Sequence, residues 1–98
     1  MSIVMMMQWP GVTLDEYEKV RAIVRFDVEP PVGGAFHVAA ADAAGLRVID
    51  VWDSAEQFQA FVDARLMPAV QQVGISAEPQ IEILPVHFAF APALMARA

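Results

Sequence analysis

Cysteine is absent from this 98-residue chain. That excludes a disulfide framework, a thiolate nucleophile and a zinc-thiolate site. Only two histidines are present, too few for a three-histidine metal centre, and no metal-ligand spacing occurs. Positive charge is scarce: 6 Lys and Arg stand against 12 Asp and Glu, for a net charge of -6. A nucleic-acid binder needs clustered cations to displace counterions from phosphates, so that class is set aside. No run reaches the roughly 18 to 20 apolar residues needed to cross a bilayer. The apolar start, Met1 to Met7, has no basic flank and no small-residue cleavage site, so it does not read as a secretory signal. These absences lead to the expectation of a cytoplasmic protein with no metal, no cofactor, and neither a nucleic-acid nor a membrane partner.

What the chain has is apolar surface. Hydrophobic residues make up 57% and charged residues 18%, which rules out disorder. A chain this short buries only part of its surface, so a monomer would leave a large apolar patch exposed. Such patches mark interfaces or ligand grooves. The expectation is a homodimer, with one sheet face covered by helices and the other by a second subunit.

The run Ser2 to Gln8 is continuously apolar and reads as a strand buried on both faces, closed by Trp9-Pro10-Gly11. Thr13 and Glu16 have capping-box spacing, and Val12 with Tyr17 can form a staple. Leu14, Tyr17, Val20, Ile23 and Val24 then recur at helical spacing, and the helix should fade near Phe26. Asp27 to Gly34 is a proline- and glycine-rich loop. Its Gly33-Gly34 pair precedes a strand rather than a helix, so it is no phosphate cradle. Ala35 to Ala41 and Leu46 to Trp52 form a hairpin. Asp53 and Ser54 compete to cap a second helix, with Phe58, Phe61, Val62, Arg65 and Leu66 on one stripe. Arg65 should lay its stem on the core with its head in water. Pro68 should kink that helix or start a new turn, and Gly74 should end it. Gln80 to Val86 is the last strand, and Pro85 suits an edge position.

The order strand, helix, strand, strand, helix, strand gives a ferredoxin-like α+β fold, βαββαβ: a four-stranded antiparallel sheet with two helices on one face. The first and third strands are then central and the fourth lies on an edge. The domain is expected over residues 1–88, with an apolar tail over 89–98.

The run Phe36-His37-Val38-Ala39, followed by Gly45 to Ser54 with its Trp52-Asp53-Ser54 ending and leading into Phe58 and Phe61, resembles the dimeric α+β barrel superfamily. Within it, the likeness is to the antibiotic-biosynthesis-monooxygenase-like group. It covers about residues 1 to 88 in order and length. The resemblance implies two ferredoxin-like subunits packed sheet against sheet. Members include cofactor-independent oxygenases of polycyclic phenols, haem-degrading oxygenases, lactone isomerases and small proteins without known activity. A shared fold does not transfer activity among them. The phenol and haem oxygenases commonly use an asparagine beside substrate or iron. This chain has no asparagine, which weighs against those particular chemistries.

One constellation follows from the hairpin itself. An even loop over Asp42 to Gly45 sets Ala41 opposite Leu46, Ala39 opposite Val48 and His37 opposite Asp50, unless a bulge intervenes. Ala35, Ala39, Ala41, Val48 and Trp52 share that face. A carboxylate beside an imidazole fixes its tautomer and favours its protonated form, which suits a general base or proton shuttle. His37 is the candidate base and Asp50 its orienting partner. Trp52 is a candidate wall, and Ala39 leaves room for a flat substrate. Trp9 and Tyr17 are candidates for a pocket rim, with core or staple roles as the alternative. His87 is a further candidate at a pocket mouth or as a haem ligand, against a plain surface role. Met5, Met6 and Met7 read as core filling, and Arg47 as a solvated side chain near the hairpin end.

Three functions remain open at this point. One is a small cofactor-independent monooxygenase-like or isomerase-like enzyme acting on an aromatic or polyketide-like molecule. A second is a non-catalytic dimer that binds a small apolar ligand. A third is an inert module, which requires Ala39 and Ala41 to be packed flat by a helix with no cavity.

Overall fold

The computed structural model describes residues 1–92. Four strands form one antiparallel sheet in the order β2-β3-β1-β4, with β1 at Ile3–Pro10, β2 at Gly34–Asp42, β3 at Gly45–Trp52 and β4 at Gln80–Pro85. Helix α1 spans Leu14–Val24. Helices α2 (Ala55–Phe61) and α3 (Met67–Val73) are joined by a π turn over Val62–Leu66. This is the ferredoxin-like α+β fold, with β1 and β3 central and β4, carrying Pro85, at an edge. Pro85 has no amide to donate, and only an edge or a strand end tolerates that. Residues 93–98 of the expected tail lie outside the described residues.

The sheet has one dry face. Ile3, Met5, Met7 and Trp9 of β1 are buried with Leu46, Val48 and Trp52 of β3, against Val20 and Val24 of α1, Phe58 of α2 and Val70 of α3. Alternation puts the even residues of β1 on the other face. There Val4 and Met6 are only half-buried and Gln8 is exposed. The reading of β1 as buried on both faces is therefore corrected: helices cover one side only. Apolar side chains populate the uncovered side too, including Val38, Ile49 and Leu84, which are 44–45% exposed.

Helix α1 starts where the capping box places it. The Thr13 hydroxyl accepts from the Glu16 amide, and the Glu16 carboxylate accepts from the Thr13 amide. It ends at Val24, two residues before the expected fade at Phe26, because Arg25 turns left-handed at φ 56°. Leu14 and Ile23, expected on the apolar stripe, are exposed; Val20 and Val24 carry the packing. Arg65 does not simply snorkel. Its guanidinium donates to the Val24 carbonyl at 2.6 Å, partnering a backbone oxygen that the end of α1 leaves without an intrahelical donor.

Between α2 and α3 the backbone stays right-handed, but Met67 N–H reaches back five residues to Val62 O. Pro68, the second residue of α3, has no amide to continue the i→i−4 ladder. A π turn just before it is the local answer, and α3 starts there with Pro68 in its first turn, as expected. Gly74 ends α3 at φ 89°, as expected.

The β2–β3 hairpin turns on Ala43-Ala44, held by Ala44 N–H to Asp42 Oδ1 at 2.8 Å. Gly45 lies so close to β1 that a Cβ there would run into the Trp9 carbonyl. Replacing Met5, wholly buried in the central strand, by alanine is expected to cost about 2–5 kcal/mol. Urea denaturation checks this, and an unchanged midpoint would mean that the core does not depend on this strand.

Candidate functional site

The hairpin register sets His37 directly opposite Asp50, Ala39 opposite Val48 and Ala41 opposite Leu46. A bulge does occur, between Gly34 and Phe36. It lies beyond the pair, toward the start of β2, so it leaves the His37–Asp50 pairing intact. It does place Gly34, rather than Ala35, opposite Trp52.

Asp50 is the buried carboxylate of the described core, at 6% exposure. An ionised group there is tolerable only if its oxygens are engaged. Both are: Oδ1 lies 2.6 Å from His37 Nδ1, and Oδ2 accepts from Trp52 Nε1–H at 3.1 Å. The second ring nitrogen of His37, Nε2, lies 2.7 Å from the Tyr17 hydroxyl. Four side chains from three elements thus form one hydrogen-bonded series: Tyr17 on α1, His37 on β2, and Asp50 and Trp52 on β3. Phe26 sets its ring edgewise to the imidazole, with centroids 4.7 Å apart. The left-handed Arg25 redirects the chain just before this contact.

The network borders a cavity of about 250 Å³ between the sheet and the helices. Its lining is otherwise apolar, with Met5, Met7, Val48, Phe58, Phe61 and Leu66 among the residues. No lysine or arginine occurs among its described lining residues. Among the described residues no cluster of metal-ligating side chains occurs, and no helix is long and apolar enough to cross a membrane.

The structure brings together His37, Asp50, Trp52, Trp9 and Tyr17 around this cavity. Trp9 also pins the segment after α3, because its indole N–H donates to Ala77 O at 2.7 Å. Two candidates do not join them. Ala39 packs against the core without lining the cavity, and His87 lies exposed beyond β4. The cavity lies instead between the sheet and the side chains of α1, α2 and the π turn. Sequence reasoning missed three features: the bond from Tyr17 to His37, the donation from Trp52 to Asp50, and Phe26 at the imidazole. The i, i+2 spacing of Asp50 and Trp52, which puts both on one strand face, was the available signal for the second.

Burial raises the pKa of Tyr17 above the ordinary 10.0; Arg21 opposes this, while Glu18, Asp50 and Asp27 add to it.

No protein-family model matches the sequence, and no curated protein matches it. Solved structures do match in shape. SnoaB from Streptomyces nogalater, a cofactor-independent oxygenase solved as an asparagine-to-alanine mutant, aligns at TM-score 0.66 and 12% identity, over 90% of this chain and 95% of that one. A Nitrosomonas europaea protein of unknown function aligns at TM-score 0.69 and 13% identity, over 93% and 94%. Another from Nitrosomonas europaea, provisionally assigned as an antibiotic biosynthesis monooxygenase, aligns at 0.63 and 13%, over 92% and 94%. The chain has the fold of these proteins. At such identities the likeness is one of architecture, and chemistry has to be argued from the residues present.

Tyr17 is the single tyrosine of the chain, so tyrosinate absorbance reports this site alone. Its ionisation is expected to have a midpoint above 10.0. The folded state holds this proton more tightly than the unfolded chain. The resulting stability is fully present below pH 10.0 and is lost as pH rises through the folded-state pKa. Alkaline thermal melts of wild type and Tyr17→Phe check the sign: the wild type should lose stability relative to the variant on that rise.

Proposed function

We propose that this chain is a member of the antibiotic-biosynthesis-monooxygenase-like group. In this reading it abstracts a proton from a neutral aromatic or polyketide-like molecule in the cavity, without a cofactor, as the first step of an oxygenation or isomerisation. The observation that carries the reading is the Asp50–His37 pair at 2.6 Å on the border of an apolar cavity. Asp50 holds the imidazole by Nδ1, which leaves the lone pair of Nε2 as the basic position. The indole of Trp52 holds Asp50 in turn and lines the same space. An apolar cavity suits a flat ring system, and the lack of lining lysine or arginine disfavours an anionic one.

Anthrone is a suitable probe, because its methylene is acidified by two aryl rings and a ketone. Proton loss gives a delocalised carbanion. Oxidation of that methylene by O2 gives anthraquinone and water, which balances without any other reductant. His37→Ala is expected to lower catalysed anthrone oxidation by about 100-fold or more, followed by oxygen uptake. Full turnover in His37→Ala would sink this reading.

A second reading is supported by the fact that no buried side-chain polar atom lacks a hydrogen-bond partner among the described residues. A cavity whose polar groups already satisfy one another also suits a non-catalytic binder of a small apolar ligand. That reading expects anthrone affinity to be indifferent to His37→Ala.

The assembly proposed with this function is a homodimer packed through the uncovered sheet face. Val38, Ile49 and Leu84, each 44–45% exposed there, form the kind of apolar surface that a partner subunit covers. Ile49→Lys is expected to convert a dimer into a monomer in sedimentation-velocity runs, while leaving the far-ultraviolet circular dichroism of the subunit unchanged. A wild type that sediments as a monomer would refute the pairing.

A further inference from the structure

The proposed reading makes His37 the base, yet its basic nitrogen is not open to the cavity. Asp50 Oδ2 accepts from Trp52 Nε1–H, and Oδ1 lies 2.6 Å from His37 Nδ1; an ionised carboxylate only accepts, which assigns the proton of that contact to Nδ1. A neutral imidazole with its proton on Nδ1 has only an acceptor at Nε2. The group at 2.7 Å from that acceptor is the Tyr17 hydroxyl, which therefore donates to it. The one basic ring nitrogen of the dyad is thus covered by a phenol that itself lines the cavity.

We infer that Tyr17 is the catalytic residue that meets the substrate, relaying its proton to His37, while Asp50 and Trp52 act as positioning residues. The inference rests on the reading of the cavity as a proton-abstracting site. The substrate C–H or O–H proton passes to the Tyr17 oxygen, whose lone pairs are unengaged by the dyad. The Tyr17 hydroxyl proton passes in the same event to His37 Nε2. The electron pair stays on the substrate as a carbanion or enolate, and the imidazolium is held against the Asp50 carboxylate. Tyr17 begins and ends neutral, so the relay never requires a free tyrosinate. That matters in a half-buried position where burial penalises the charged phenol. The alternative arrangement, in which Tyr17 swings away and His37 meets the substrate directly, would break the bond that closes the network and the packing that accompanies it.

Two measurements test the relay. The first needs no substrate: nitrogen-15 NMR of His37 near neutral pH reads its tautomer. The relay requires the proton on Nδ1, with the Nε2 signal shifting in Tyr17→Phe as its donor is lost. A proton resident on Nε2 overturns the relay, because Tyr17 would then be an acceptor there. The second is hydrogen–deuterium exchange of the anthrone methylene, under nitrogen in heavy water, catalysed by the full-length protein. Tyr17→Phe keeps the ring and removes only the relayed proton. It is expected to lose exchange by about 100-fold, as His37→Ala does, in the range of general acid-base effects. If Tyr17→Phe keeps the wild-type rate while His37→Ala loses it, the relay is wrong and His37 acts directly. If the wild type itself does not accelerate exchange, the proton-abstracting reading fails, and the relay with it.

Discussion

The buried Asp50 carboxylate constrains everything around it. A charge at 6% exposure survives only where hydrogen bonds replace lost water, because desolvation of an ion costs several kcal/mol even after relaxation. The donors come from fixed places. Trp52 lies two residues along the same strand, and His37 lies across the hairpin. The demand of one carboxylate therefore orients an indole and an imidazole together. The imidazole in turn presents Nε2 toward α1, where Tyr17 answers it. The orientations of the imidazole and the indole answer one solvation problem, on a register that the tight turn sets.

The helices act as a frame for that network. The capping box fixes where α1 starts, and the left-handed Arg25 fixes where it stops. Tyr17 and Phe26 then both reach His37, one through a hydrogen bond and one through a ring edge. Arg65 ties the π turn to the last carbonyl of α1. The two helical segments are thereby clamped to each other, by a charged hydrogen bond of the stronger kind.

Much of the architecture was legible in the sequence because local rules and global fold agree. Thr13-x-x-Glu16, Ser54-x-x-Gln57 and Gly74 mark helix ends at positions where the backbone itself requires a cap. The His37–Asp50 pairing was legible because a tight turn with an even count leaves little freedom in register. The bulge that could have spoiled it falls at Ala35, on the far side of the pair. What stayed hidden depends on rotation and distance, which a one-dimensional pattern does not encode. Tyr17 fits a staple as well as a site, since both lie on the inner side of α1. Ala39 shares a sheet face with His37, yet it packs against the core, because sharing a face is not the same as bordering a void. His87 follows the edge strand β4 and lies exposed. The apolar run of β1 suggested burial on both sides, but only the helix-covered side is dry.

That last mismatch bears on how fold and chemistry divide. Apolar side chains lie on both faces of the sheet, and on the uncovered one they share it with Gln8, Arg47 and Glu82. One is closed by the chain's own helices and carries the polar network and the cavity. The other carries no such network and is left open by the monomer. Architecture of this kind is shared with proteins at 12–13% identity, which is too distant for side chains to be carried over. The asparagine altered in the SnoaB mutant has no possible equivalent of its type here, since this chain has none. Whatever this cavity does must be done by its own groups, and these form one connected set rather than separate candidates. His37, between Tyr17 and Asp50, has both nitrogens committed. The function proposed for the site turns on whether the Tyr17 hydroxyl passes a proton on or merely holds its place.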